Sequence, residues 1–259
     1  MGKKSISDKK FSEKNEKENI VCGRNSVIEL LASERTVDKI FIRRGQREGS
    51  LLRIFAMAKE RHIPVVEADK LKLDTMSGNA NHQGVVAFAT DFIYCSPDDI
   101  ISFAVSRGEE PFILMIDGIN DPHNLGALIR TAHAVGVHGI ILPKRNACGL
   151  TAAVYKAAAG SCEHVMISRV ANIAETISYI KEKNIWVYGA DGKAESDIYK
   201  TDFSGAVALV LGDEGRGISR LVRDRCDILV KIPMRENANS LNVSVAGGVL
   251  MYEIFRQRG

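Results

Sequence analysis

From Pro111 to the C-terminus the sequence keeps returning to short apolar runs, and these restrict the fold more than any other feature. Residues 112–117 (FILMID), 185–190 (IWVYGA), 206–212 (AVALVLG) and 228–233 (ILVKIP) carry few polar side chains. A strand with one face in water alternates apolar and polar residues; a strand covered on both faces does not need to. Residues 138–142 read as another strand. Helical patterns lie between the strands, at 125–135, 150–159 and 173–183, and residues 243–256 form a closing helix. This alternation predicts an α/β domain with a parallel sheet covered on both faces. Ligands of such sheets bind beyond the carboxyl ends of the strands, so functional residues are sought there.

Residues 20–90 predict a separate small α/β unit. Residues 25–32 read as a helix and 39–43 as a strand. In residues 51–61, Leu51, Leu52, Ile54, Phe55 and Ala58 recur at helical spacing. Residues 64–67 and 84–89 complete the strands, and Asp69 is placed to cap a helix between them. Residues 91–110 read as a linker with a short helix, Ser96 its cap and Pro97 its first residue. The unit 111–259 follows. Residues 1–19 are mostly Lys, Glu, Ser and Asn, with little to bury, and read as a disordered charged tail.

Hydrophobic residues make up 45% of the 259 and charged residues 26%, enough to build real cores. The net charge of +3 permits a nucleic-acid partner without demanding one. The five cysteines are widely spaced with no C-x-x-C, which argues against a disulfide framework or zinc knuckle and fits a reducing cytoplasm. The six histidines form no ligand pattern, so no metal is expected. No apolar run reaches membrane-spanning length.

Three strand ends carry unusual residues. In 117–132 (DGINDPHNLGALIRTA) a polar loop leads to a helix beginning near Asn124, whose free N–H groups would suit an anion. Arg130 could approach that end only by reaching back. A capped helix with a surface arginine reads equally well. In 209–217 (LVLGDEGRG), Gly212, Gly215 and Gly217 make a tight turn that lets backbone approach a ligand. The spacing fits neither a dinucleotide fingerprint nor a P-loop. In 232–253 (IPMRENANSLNVSVAGGVLMYE) a helix begins near Ser240. Its Ala246-Gly247-Gly248 stretch costs roughly 1 kcal/mol per glycine and implies close packing.

In order and spacing, these segments resemble the three signature motifs of the SpoU-type (TrmH-like) branch of the SPOUT RNA methyltransferases. The matching residues are Asp121 to Ala127 with Arg130-Thr131-Ala132, Leu211-Gly212 with Glu214-Gly215 and Gly217, and Ile232-Pro233-Met234 with Ser240 to Ala246. The N-terminal CGRNSVIELL, KIFI and NHQGVVA more loosely resemble the L30e-like RNA-binding domain of the bacterial 23S ribosomal RNA guanosine 2′-O-methyltransferase subgroup.

The resemblance implies a trefoil knot in the C-terminal domain, S-adenosylmethionine as methyl donor, and a homodimer with its site near the interface. It places Gly212, Ile232, Met234 and Leu241 around the donor, and gives the chemistry to Asn124, Arg130, Glu214, Ser240 and Asn242. A guanidinium hardly deprotonates, so Arg130 reads more easily as a grip on phosphate or developing oxyanion than as a base. Glu214 could equally shape its turn, and Ser240 and Asn242 could cap a helix. Asp213 and residues 236–238 depart from the family pattern.

Arg24, Lys39, Arg43, Arg44 and Arg47 are candidates to hold RNA phosphates, with an ordinary solvated loop as the alternative. The expected substrate is 23S ribosomal RNA, with transfer RNA the runner-up. A non-catalytic RNA-binding or ribosome-assembly protein is the rival from another class. A nucleotide-dependent oxidoreductase fits less well, for want of a dinucleotide fingerprint.

Overall fold

A computed structural model of the chain describes residues 20–33, 35–46, 48–90, 92–235 and 240–259. The expected tail, Arg47 and residues 236–238 lie outside the described residues. Two compact units are present. One comprises residues up to Ile93 together with Gly149–His164; the other comprises Tyr94–Cys148 and Val165–Gly259.

The first unit contains β1 (Ile20–Cys22), α1 (Arg24–Ala32), β2 (Val37–Arg43), α2 (Ser50–Glu60), β3 (Val65–Ala68), α3 (Lys70–Met76) and β4 (Val85–Ala89). Its sheet has the order β1-β4-β2-β3, with only the β2–β3 pair parallel. Asp69 caps α3 as expected, accepting from Lys72 N at 2.8 Å. Arg61 closes the far end of α1 by donating to the carbonyls of Leu31 and Ser33.

The structure draws the domain boundaries differently from the sequence reading. Residues 149–164 were expected in the catalytic domain. Their helix α6 (Ala152–Ala158) packs against β1 instead. Ser26 Oγ donates to the Tyr155 carbonyl, and Arg35 pairs with Glu163 at 3.1 Å, both side chains nearly buried. The expected linker also dissolves. Its helix α4 (Pro97–Ser106), capped by Ser96 as read, sets Ile100 among Ile113, Met115 and Ile141 in the core of the second unit.

The second unit contains β5 (Phe112–Asp117), α5 (Pro122–Ala134), β6 (Gly139–Pro143), β7 (Met166–Val170), α7 (Ile173–Glu182), β8 (Trp186–Ala190), β9 (Ser196–Asp197), β10 (Val207–Gly212), α8 (Arg220–Arg225), β11 (Ile228–Lys231) and α9 (Val243–Arg258). Among the described residues its strands form one parallel sheet, ordered β7-β6-β5-β10-β8-β11-β9. Central β10 is buried along its whole length, as its unbroken apolar run requires. Helix α9 crosses α5 and β10 closely: a Cβ on Gly247 would stand 2.4 Å from Leu128 Cδ2 and 2.7 Å from Leu211 Cδ1. The close packing expected of its glycines is therefore within the unit, at Gly247.

No described helix is long and apolar enough to cross a membrane. The five cysteines are free, and burial pushes the Cys22 and Cys226 thiols up to about 12, leaving them unreactive at neutral pH.

The last turns of α9 are tied down by polar groups. Glu253 accepts two hydrogen bonds from Arg256 and one from Gln257; Gln257 in turn bonds the Thr201 carbonyl and the Phe203 N–H. These donors, the arginine above all, hold the Glu253 carboxyl down at about 2. A depressed carboxylate contributes stability above its ordinary unfolded value, and that contribution is lost as pH falls from about 4.5 towards about 2. Thermal unfolding of Glu253→Gln is therefore expected to vary less with pH across that window than wild type. An unchanged pH profile would contradict the assignment.

Candidate functional site

The strand ends of β5, β10 and β11 meet in the second unit. Beyond β5, Asp121 caps α5 by accepting from His123 N at 3.0 Å, and Pro122 takes the first helical position. The helix thus starts earlier than Asn124, where the sequence reading put it. Asn124 lies within the first turn with its side chain turned inward, 7% exposed.

Beyond β10 the chain folds back on itself. Asp213 and Gly217 exchange both backbone hydrogen bonds, at 3.1 and 2.8 Å. Asp213 Oδ1 accepts from Gly215 N and Arg216 N, so the charge that departs from the family pattern is absorbed by local N–H groups. Gly212 is fixed by contact. A Cβ there would lie 2.1 Å from Gly217 C and 2.2 Å from both Gly217 O and Ile218 N. Nothing but glycine lets the returning backbone pass.

Beyond β11, α9 begins at Val243, as the sequence predicts, with Asn242 as its cap. Asn242 Oδ1 accepts from Ser244 N at 2.9 Å and Val245 N at 3.3 Å. Its amide nitrogen donates to Asn124 Oδ1 at 3.0 Å and to Glu214 Oε1. Asn124 Nδ2 also donates to Glu214 Oε1, at 2.9 Å. One residue from each segment thus enters a closed ring, Asn124–Glu214–Asn242. Asn242→Ala would remove both a helix cap and the donor that satisfies Asn124. Loss of the cap alone costs about 1–2 kcal/mol. In a chain of this size calorimetry should show a Tm drop of roughly 2–8 °C.

Next to the ring is a cavity of about 410 Å³, within the usual size range of small-molecule sites. Gly212, Ile232, Met234 and Leu241 all line it, as does Ser240. Apolar walls come from Leu211, Ile218 and Val230, and ionic groups from Asp191 and Arg223. Those two form an ion pair at 2.6 Å in which Asp191 is nearly buried. Neither residue belongs to the three segments singled out in the sequence. The available signal was the Asp191-Gly192 pair directly after the apolar run of β8, another acid and glycine at a strand end. Asp117 Oδ2 accepts from Ser219 N at 2.8 Å and so fastens the end of β5 to the start of α8, a role no local pattern marks.

Arg130 is not gathered with these residues. It stands exposed on α5, does not line the cavity, and has no ion pair or side-chain hydrogen bond among the described residues. In the first unit Arg24 and Arg43 line one cavity, and Arg44 is exposed beside Arg43. Lys39 does not line that cavity; its ammonium sits 5.9 Å from the centre of the Phe41 ring.

Two family models match the chain: SpoU rRNA Methylase family over residues 111–252, and RNA 2′-O ribose methyltransferase substrate binding over residues 20–95. The chain belongs to the SpoU methylase family of RNA methyltransferases. Among its relatives, a protein of Bacillus subtilis named as a TrmH family tRNA/rRNA methyltransferase is 44% identical over 92% of this chain and 95% of its own. A Staphylococcus haemolyticus protein with a similar name is 41% identical over 92% and 96%. Two solved structures share the fold. The SpoU methyltransferase AviRb from Streptomyces viridochromogenes, in complex with AdoMet, has a TM-score of 0.78, 23% identity, and coverage of 98% of this chain and 94% of its own. An AdoMet-bound rRNA methyltransferase from Sinorhizobium meliloti has a TM-score of 0.79, 24% identity, and coverage of 95% and 90%.

Proposed function

We propose that this protein methylates a ribose 2′-hydroxyl of structured RNA, with S-adenosylmethionine as donor and a guanosine of 23S ribosomal RNA as target. The observation that carries the reading is the meeting of three strand ends in one cavity edged by the Asn124–Glu214–Asn242 ring. The cavity suits a donor with both apolar and charged parts. Leu211, Ile232 and Leu241 offer an apolar slot, Gly212 brings backbone close, and Asp191 and Arg223 supply charge. S-adenosylmethionine supplies an electrophilic methyl group on a sulfonium.

The chain's own residues have three tasks. They must position the ribose, accept its hydroxyl proton as the methyl passes from sulfur to oxygen, stabilise that oxygen meanwhile, and keep bulk water away. The ring fixes Asn124 and Glu214, and Glu214 Oε2 is left to accept a further hydrogen. Ser240, exposed at the cavity, is placed to orient a ligand. Arg130, unpaired and exposed, is the group that grips the RNA phosphate or the developing oxyanion.

We also propose a homodimer. Val245, Tyr252 and Phe255 share one face of α9 and are each about half exposed, an apolar stripe suited to packing against a second copy. Arg24, Arg43 and Arg44 of the first unit face the RNA, and the reaction belongs in the cytoplasm with its substrate.

The test is to incubate the protein and S-adenosylmethionine with undermodified total RNA and map linkages that resist alkali. A 2′-O-methyl group removes the nucleophile that alkaline cleavage needs. Resistant linkages in 23S ribosomal RNA support the full reading; in transfer RNA they keep the chemistry and change the substrate. Methyl groups found only on bases, or none at all, overturn it.

A further inference from the structure

The first unit holds a second cavity, of about 750 Å³, lined among others by Arg24, Arg43, Gln46, Lys70, Asn79 and Gln83. We propose that it seats one unpaired nucleotide of the RNA. Arg24, Arg43 and Lys70 would grip the phosphates, and the side-chain amides would read the base edge. The inference rests on the RNA-substrate reading above and adds where, and in what form, the RNA is held.

The loop that forms one wall is built at a conformational cost. Gly78, Asn79, Gln83 and Gly84 all have positive φ, and for Asn79 and Gln83 this is disfavoured. Three sets of hydrogen bonds impose it. Buried His82 accepts from Gly84 N through Nδ1 at 3.0 Å, which leaves Nε2 to donate to Asp74 Oδ1, also at 3.0 Å. Arg24 donates its backbone N–H to Gln83 Oε1 and its Nε to the Gln83 carbonyl, both at 3.0 Å. The Arg43 N–H donates to the Gly84 carbonyl at 2.8 Å. Strain held this firmly in a loop is a mark of functional sites.

The chemistry of the lining selects the ligand. Among the described residues the one carboxylate on the wall, Asp74, is engaged by His82. Arg24, Arg43 and Lys70 have no carboxylate partner among the described residues, so positive charge is left at the rim. The Nε bond fixes the plane of the Arg24 guanidinium, a surface on which a base can stack. Gln46 Oε1 is buried and receives no hydrogen bond from the described residues. It lies against Gly84, where a Cβ would come within 2.4 Å of it. A buried acceptor without a donor is costly; turned off Gly84 into the cavity that Gln46 lines, it would take the N–H edge of a nucleobase. Pairing uses up the Watson–Crick N–H groups of a base, and the deep groove of an A-form helix keeps side chains from its Hoogsteen edge, so a nucleotide read here is an unpaired one.

The test is fluorescence anisotropy of the full chain with three RNA hairpins sharing one stem. One carries a single bulged nucleotide, one an abasic residue at the bulge, and one no bulge. The bulged hairpin should bind about tenfold more tightly than the other two. Gln46→Leu should remove that advantage without changing affinity for the unbulged stem. Arg43→Ala should lower the slope of log affinity against log salt by about one. The proposal is overturned if the abasic hairpin binds as tightly as the intact one, or if Gln46→Leu weakens all three equally. Because the abasic comparison uses wild-type protein, misfolding of a variant cannot decide it. If discrimination persists without 2′-O-methyl transfer, the reaction assigned above is wrong and the nucleotide seat stands. If transfer persists without discrimination, only the seat falls.

Discussion

Arg130→Ala is expected to bind S-adenosylmethionine as tightly as wild type and to transfer methyl ~10²–10³-fold more slowly, the usual effect of removing one group that stabilises a developing oxyanion. Arg130 does not line the cavity, so its side chain has no route to affect donor affinity. Being exposed on α5, it can be truncated without opening the core. Isothermal titration calorimetry measures donor binding, and single-turnover transfer to RNA measures the step. Arg130→Lys keeps the charge and loses the planar fork, so it should recover only part of the rate. Donor binding lost along with transfer would refute the role given to Arg130.

Gly212→Ala is expected to be the most damaging small substitution in the molecule. The added methyl meets backbone atoms of Gly217 and Ile218, which cannot swing aside as a side chain tip can. Overpacking of this kind costs about 3 kcal/mol, the upper end of the common range, or ~6–12 °C in Tm for a chain of this length. Donor affinity should fall at least tenfold, because the turn from Asp213 to Gly217 forms one wall of the cavity. Gly192→Ala is the control: Gly192 also lines the cavity, yet a Cβ there meets nothing within 4 Å. Equal losses from both substitutions would mean that close passage of the backbone is not what glycine provides at position 212.

The parallel sheet was legible because burial on both faces imposes uninterrupted apolar strands, and β5, β8, β10 and β11 have them. Strand β7 was not read: Met166–Val170 includes Ser168 and Arg169 and lacks that pattern. Helix α8 was missed because RLVRDR is mostly charged and buries only Val222. The start of α5 was misplaced although Asp121-Pro122 is a strong capping pair. The site residues Asn124, Glu214 and Asn242 could be named from their segments, but not their ring, since Asn124 and Glu214 are 90 residues apart and only the fold brings them together. Periodicity marks residues 150–159 as helical. It cannot say which core the helix completes, because that depends on a surface elsewhere in the chain.

That helix has a consequence for synthesis. The first unit is interrupted: β1 is covered in part by α6, which belongs to a second segment beginning at Gly149, after 55 residues of the other unit. At translation rates of about 5–20 residues per second, the ribosome adds those residues in roughly 3–11 s. Through that interval the nascent first unit has all four strands of its sheet but neither the Tyr155 carbonyl for Ser26 nor the Glu163 carboxylate for Arg35. The unit is therefore finished only after β5, α5 and β6 of its neighbour have been made. The two halves of the enzyme cannot mature strictly one after the other, and a gene cut between them would not yield two whole domains.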